Sequence, residues 1–266
     1  MEARLDITPE EGWPRDPFDY VISSRDRDIG ALVADALGRD RVQLAFQPVM
    51  TASIPQRTAF HEAFIRLLDG QGRILPARSF ITQIEDTATG RDIDCASLGL
   101  GLDMLSLHPR LRLAINMSAR SIGDGKWRHI LQDRLGASPD IGPRLILEIT
   151  EASTMLLPEI VTRFMGEMQP RGVCFSLDDF GAGLIAFRHL RDFLFDMVKI
   201  DSIFVRGIDT SADNQALVTA LVNVARQFDM LTIAEGVETE GEADFLRKIG
   251  VDCLQGYLFG IPKATL

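Results

Sequence analysis

The stretch Cys174-Phe175-Ser176-Leu177-Asp178-Asp179-Phe180 is an apolar run that ends on two adjacent carboxylates, and Gly181-Ala182-Gly183 follows at once. Two like charges about 4 Å apart repel by roughly 4 kcal/mol at an effective dielectric near 20. A strand that reads as buried thus finishes on a pair whose repulsion something has to offset.

Similar runs lie on both sides of it. Upstream are Val42–Pro48, Ala59–Ile65, Leu111–Met117 and Leu145–Ile149. Val173–Leu177 comes next, then Met197–Ile200, Leu231–Ala234 and Cys253–Tyr257. Helical spacing fills most of the gaps, around Ser79–Thr87, Ile93–Leu107, Lys126–Leu135, Pro158–Met168, Ala186–Leu194, Ala212–Phe228 and Glu240–Ile249. Strands alternating with helices predict a parallel sheet. Eight of them in 266 residues predict an α/β fold of the TIM-like (β/α)8 barrel type, with an open doubly wound sheet as the alternative on pattern alone. Between the first two runs lies a gap containing Pro55 and no helical pattern, which suggests an antiparallel hairpin. Residues 1–27 are rich in Pro, Asp and Arg without a steady period, and Asp28–Leu37 has helical spacing that stops at Gly38. The expected organisation is an N-terminal arm and helix over 1–38 and a barrel over 39–266.

Composition narrows the function. A net charge of −10 argues against a duplex nucleic-acid surface, which needs clustered Lys and Arg. It leaves room for an anionic small molecule, because bound cations invert a local field. Cys95, Cys174 and Cys253 are odd in number and widely spaced, so no disulfide framework is expected and a cytoplasmic location is. The first twenty residues lack the basic and apolar regions of a signal peptide, and no apolar stretch reaches about 18 residues, so membrane insertion is not expected.

The strand ends are the informative regularity. Successive runs carry Glu62, Asn116, Glu148, the Asp178-Asp179 pair, Lys199 with Asp201, Glu235 with Glu238, and Gln255. In a parallel barrel the C-terminal strand ends open on one face, so these residues converge on one rim. A single acid after a strand is most simply a helix N-cap or a solvated loop end. A ring of acids needs a counter-charge, and an oxygen-only set suits magnesium or manganese rather than structural zinc. Lys199, between Val198 and Ile200, points either into the mouth or out among the helices. Outside, it is a snorkelling lysine; inside, it activates water or stabilises developing negative charge. The four histidines, His61, His108, His129 and His189, are expected in packing or surface roles.

Taken together these stretches resemble the EAL-domain family of cyclic di-GMP phosphodiesterases, over about residues 40–264. The family's Glu-Ala-Leu stands here as Glu62-Ala63-Phe64, followed by Arg66. Phe46-Gln47-Pro48 is similar to its YQP, Ile115–Arg120 to NLSAR, Leu147–Ser153 to EITES, and Leu177–Gly183 to DDFGTG. VKID, AEGVET and QGYLF are intact at Val198–Asp201, Ala234–Thr239 and Gln255–Phe259. The resemblance implies a TIM-like barrel with one antiparallel strand, a homodimer, and a cyclic-guanylate-specific phosphodiesterase that forms linear pGpG. It implies that Glu62, Asn116, Glu148, Asp178 and Asp179 hold two Mg2+ or Mn2+ ions, with Glu235 coordinating directly or through water. On the same template Lys199 assists the attacking water. Asp201, Glu238 and Gln255 complete an inner polar network, Glu151 steadies the loop after Asp179, and Gln47 and Arg66 contact the substrate.

The departures fall in three places. Phe64 replaces a leucine, and Leu67–Ile74 lacks the family's usual Trp and His-Pro. After the aspartates, Ala182 replaces a threonine, Leu184 a tyrosine, and Ile185-Ala186 two serines. These changes bear on substrate affinity, loop closure and dimer coupling, and they leave every implied metal ligand in place. The alternative function is therefore a catalytically weak or inactive domain that binds cyclic di-GMP or a protein partner.

Overall fold

A computed structural model describes residues 29–181 and 190–266. Its strands are β1 (Val42–Thr51), β2 (Thr58–Leu68), β3 (Ile74–Pro76), β4 (Leu113–Asn116), β5 (Leu145–Thr150), β6 (Cys174–Phe180), β7 (Met197–Ile200), β8 (Leu231–Ala234) and β9 (Cys253–Leu254). They hydrogen-bond in the order β1-β9-β8-β7-β6-β5-β4-β2-β3, and a β1–β2 pairing closes the ring. β3 hangs on the outside of β2, which leaves eight strands in the barrel. β1 is antiparallel to both neighbours, β2 and β9, while the remaining pairs around the ring are parallel. The (β/α)8 barrel with one antiparallel strand is thus the observed fold, and the expected hairpin is its β1–β2 pair.

Both hairpin strands run past their apolar runs, because the pairing continues from Val42–Leu67 to Met50–Thr58. A helix expected over Ala186–Leu194 lies partly outside the described residues, and the chain from Arg191 onward is turn. A helix at 29–38 buries Val33 and Ala36 in the main core, while the expected arm lies outside the described residues.

Alternation along each strand sorts side chains into two environments. One face of each strand packs outward against the helices: Leu113 and Ile115 of β4, Leu147 and Ile149 of β5, Phe175 and Leu177 of β6, Val198 and Ile200 of β7. Helix Ala88–Leu107 lies so close to β4 that a Cβ on Gly101 would sit 2.3 Å from Ile115 Cδ1, and the Ile115 side chain would have to shift to admit it. Trp127, Phe164 and Phe175 form an edge-to-face chain with successive ring centroids 5.7 Å apart.

The other face points into the barrel. At the N-terminal end of the parallel strands, Val49, Phe60, Ala114, Ile146, Met197 and Ile233 form a separate apolar cluster, with Cys174 and Cys253 packed against it. This plug contains one residue from each barrel strand. Two residues further toward the mouth, each strand or the residue just past it supplies a polar side chain: Gln47, Glu62, Asn116, Glu148, Ser176, Lys199, Glu235 and Gln255. Because β1 is antiparallel, its step runs backwards, from Val49 to Gln47, and Gln47 pairs with Glu62 just as Val49 pairs with Phe60.

Candidate active site

The polar layer is organised around Lys199. Its side chain is 1% exposed, and Nζ lies 3.0 Å from Glu62 Oε2, 3.0 Å from Glu148 Oε2, 2.7 Å from Glu235 Oε1 and 3.6 Å from Asp178 Oδ1. Strand parity explains the inward aim: Met197 belongs to the plug, so Lys199 shares its face, and Val198 and Ile200 take the opposite one. The amides extend the network. Asn116 Nδ2 donates to Glu62 Oε1 at 2.9 Å, and Gln255 Nε2 donates to Glu62 Oε2 at 2.7 Å and to Gln47 Oε1 at 3.3 Å. Gln47 in turn donates through Nε2 to the Gly260 carbonyl at 2.9 Å.

The charges do not balance, since four carboxylates face one ammonium. Burial, and then the neighbouring Glu62 charge, push Glu148 well above the ordinary carboxylate range. Burial likewise raises Asp178, and it pushes Glu235 up to about 8. Glu62 is the exception: burial opposes its charge, but Lys199, Gln255 and Asn116 overcome that and hold its carboxyl below the usual value. Lys199 moves upward despite burial, because Asp178, Glu148, Glu235 and Glu62 all favour its charged form. Four carboxylates around one ammonium leave the cluster with surplus negative charge, which favours the protonated form of its less well paired members.

The remaining expected residues divide into inner and outer groups. Asp179 has a left-handed φ of 59°, where β6 breaks register with β7. Burial, followed by Asp178 and Asp201, raises its carboxyl to about 6. Glu151 is buried at the start of helix Glu151–Leu156, behind Asp179. Asp201 is a helix cap: its Oδ1 accepts from Ile203 N at 2.9 Å and from Ser202 Oγ at 3.2 Å, so the simpler reading of a strand-end acid holds there. Glu238 stands half exposed at the mouth with Arg206 3.8 Å away, outside the inner network. Arg66 is on β2, its guanidinium 5.4 Å from the Phe64 ring centroid. The substitutions at Ala182, Leu184, Ile185 and Ala186, and His189, lie outside the described residues. Of the other histidines, His61 is half-buried with its pKa lowered by burial, and His129 pairs on the surface with Asp133.

A cleft above the cluster is lined by Gln47, Phe64, Arg206, Glu235, Glu238, Gln255 and Tyr257 among others. A larger groove, about 470 Å³ against about 190 Å³, is lined by Met155, Pro158, Glu159, Thr162, Arg163, Asp192 and Phe193 and holds none of the strand-end acids. Chemistry therefore singles out the smaller cleft. Sequence reasoning missed three of its members, Phe64 as a cleft wall, Arg206 and Tyr257. It also missed Ser176, a buried polar-layer hydroxyl whose only sequence signal is its place two residues before Asp178 on an otherwise apolar strand.

The donor set has the chemistry of a site for a hard divalent cation. The oxygens are carboxylate and amide only, and Glu148 Oε1 is buried without a hydrogen-bond partner among the described residues. Such an orphaned oxygen in an over-negative cluster fits a cation of the magnesium or manganese type. The oxygens are nevertheless turned onto Lys199. Among the described residues no group of three or more His, Cys, Asp or Glu side chains is arranged to hold an ion.

A barrel whose strand ends converge on an acidic mouth around one lysine defines a class of (β/α)8 domains with a candidate active site at the C-terminal strand ends. The chain matches the EAL domain family over residues 32–262, and it belongs to that family. It is 29% identical over 237 residues to the cyclic di-GMP phosphodiesterase PdeB of Shewanella oneidensis, covering 87% of this chain and 28% of the relative. It is 30% identical over 235 residues to the cyclic di-GMP phosphodiesterase PdeR of Escherichia coli, covering 87% of this chain and 35% of the relative. The chain thus spans about a third of the length of these relatives. Among solved structures, the PaMucR phosphodiesterase in complex with c-di-GMP superposes with a TM-score of 0.77 at 26% identity, covering 89% of this chain and 97% of that one. The FimX EAL domain from Pseudomonas aeruginosa, bound to c-di-GMP, shares the fold, with a TM-score of 0.81 at 23% identity over 90% of this chain and 97% of that one.

Proposed function

We propose that this chain is a cyclic-guanylate-specific phosphodiesterase that hydrolyses cyclic di-GMP to linear pGpG with two divalent ions, Mg2+ or Mn2+. The observation that carries the reading is the surplus of negative charge in the barrel mouth, where Glu62, Glu148, Asp178 and Glu235 converge on a single ammonium. The relatives named cyclic di-GMP phosphodiesterases support the substrate class. Glu62, Glu148, Asp178, Asp179 and Glu235 would hold the ions through their carboxylates, and Asn116 through its amide oxygen. When bound, such ions acidify water and neutralise charge on phosphoryl oxygens.

The chain's own residues do the rest. Lys199 offers N–H donors to negative charge from a buried position, where such donors are stronger than in water. Gln255 and Gln47 brace Glu62 from the β1–β9 side, and Asn116 braces it from β4. Gln47, Gln255, Glu238 and Arg66 border the mouth and contact the nucleotide in this reading. Glu151 and Asp201 hold the segments beside Asp179 through buried and capping positions. An arm and helix over 1–38, a barrel over 39–266 and pairing of two copies belong to the same reading. So does a cytoplasmic location, supported by three free cysteines. Among the described residues no helix is long and apolar enough to cross a membrane.

Incubating the purified chain with cyclic di-GMP and Mn2+ or Mg2+ and resolving the nucleotides by chromatography tests this reading. The expected result is metal-dependent appearance of pGpG. Binding without product would establish the binding-module alternative, which the altered residues Ala182, Leu184, Ile185 and Ala186 favour.

A further inference from the structure

We propose that the Lys199 ammonium is an internal competitor for the cation site: it and a divalent ion contend for the same carboxylate oxygens, and the ion binds by displacing it. This inference rests on the metal-dependent reading above and concerns how that site is loaded. The geometry points to it directly. Glu62 Oε2, Glu148 Oε2 and Glu235 Oε1 all lie within 3.0 Å of Nζ, and Asp178 Oδ1 is at 3.6 Å. These are the oxygens that would ligate the ion. A magnesium-like ion sits about 2.1 Å from its oxygens, so one bound to any of the nearest three lies within about 5 Å of Nζ. The two cations would share ligand oxygens at that separation, and each repels the other.

The arrangement of the cluster agrees. Its carboxylates are disposed for an ammonium and not for an ion, while Glu148 Oε1, the buried oxygen without a partner, faces no ammonium bond. Lys199 therefore has two consequences. It keeps four acids, of which Glu62 and Glu148 are buried, assembled before any metal arrives, so the barrel folds without one. It also weakens metal affinity, so the site loads only above a threshold of free ion.

Titration of the purified chain with Mn2+, followed by the electron paramagnetic resonance signal of the free ion, tests this without reference to turnover. Lys199→Met keeps the length of the side chain and removes its charge. The expected result is a Kd at least ten-fold lower than for the wild-type chain. An equal or higher Kd in the variant overturns the inference and leaves the metal-dependent reading standing. Silence of both proteins overturns that reading and this inference together. Should Lys199→Met fail to fold, anomalous diffraction from Mn2+-soaked wild-type crystals decides. At least two of the three Nζ contacts to Glu62, Glu148 and Glu235 are expected to open beyond hydrogen-bonding distance, and an ion bound with all three intact refutes displacement.

Discussion

Two layers inside the same barrel make the most instructive contrast. The plug of Val49, Phe60, Ala114, Ile146, Met197 and Ile233 and the polar layer above it come from the same strands. Only two residues of strand separate them, one full pleat. The lower layer is apolar and closes the barrel. The upper layer buries Glu62, Glu148 and Lys199 and leaves Asp178 and Glu235 partly exposed toward the cleft, and burying charge is costly unless it is paired. The backbone is thus one scaffold, and chemistry is chosen by which pleat a residue occupies. Stability should depend on the lower layer and activity on the upper.

The sharpest way to break that division is Glu62→Ala. It removes a ligand in the proposed site and one of the four charges crowded on Lys199. Turnover of cyclic di-GMP is expected to fall by more than the roughly 10- to 100-fold typical of residues that act behind a metal ligand. The melting temperature should fall only modestly, because Lys199 keeps Glu148, Glu235 and Asp178 although Asn116 and Gln255 lose their carboxylate partner. A collapse of the fold with retained activity per folded molecule would reverse the assignment. The mirror experiment is Ile146→Ala in the plug, whose side chain is 5% exposed. A buried Ile→Ala change costs about 2–5 kcal/mol through lost burial and a residual cavity. Urea unfolding should show that loss, while activity per folded molecule stays near wild type.

Much of this contrast is legible in the sequence because strand alternation is a short-range rule. Glu62, Asn116, Glu148 and Lys199 each stand two residues after an apolar one, and the strands at Met197–Ile200 and Leu231–Ala234 have the limits their apolar runs suggest. What alternation leaves open is decided by the closure of the ring. Val198-Lys199-Ile200 is compatible with either face, and only the neighbouring plug residue Met197 settles it. Asp201 and Glu235 look alike as acids after short strands, yet one caps a helix and the other meets Lys199. That difference depends on whether the next turn begins a helix at once. The three-residue strand Ile74–Pro76 escapes because its pairing on β2 owes nothing to hydrophobic period.

Asp94 sharpens the comparison from outside the barrel, since it is a buried acid in the apolar shell rather than in the polar layer. It sits within helix Ala88–Leu107, accepting from Ser118 N at 2.9 Å and Ser121 Oγ at 2.6 Å. Burial raises its pKa from 3.8 to about 6, with those two hydrogen bonds opposing. The sign follows from linkage: a carboxyl that holds its proton more tightly when folded stabilises the fold below the unfolded value, and that contribution is lost as pH rises through about 6. The loss amounts to something on the order of 3 kcal/mol. Asp94→Asn has no such proton to release, so between pH 4 and 7 its stability should decline less than that of the wild-type chain. Parallel pH profiles of chemical denaturation for the two proteins would show that the carboxyl is not strained.

The smallest effect is expected at the rim, from Glu242→Gln. Glu242 Oε2 accepts from Glu238 N at 2.8 Å and Thr239 N at 3.0 Å, closing the capping box of helix Glu240–Ile249, while Oε1 accepts from Gly207 N at 2.8 Å. One carboxylate therefore clips the loop after β8, with Glu235 and Glu238, to the loop after β7, with Asp201 and Arg206. The Thr239-x-x-Glu242 spacing marks the cap in the sequence, but the bond to Gly207 arises only when the two loops meet. Glutamine keeps one acceptor oxygen, so it can serve the cap or Gly207 but not both, and it gives up the charge assistance. A loss of about 1 kcal/mol in stability is expected. The Glu242 carboxylate bonds to the backbone of Gly207, Glu238 and Thr239 and to no side chain of the polar layer, so kcat should stay near wild type while KM rises a few-fold as the mouth loosens. If kcat instead fell as far as in Glu62→Ala, rim and polar layer would be one mechanical unit, and the division of labour between pleats would fail at its upper edge.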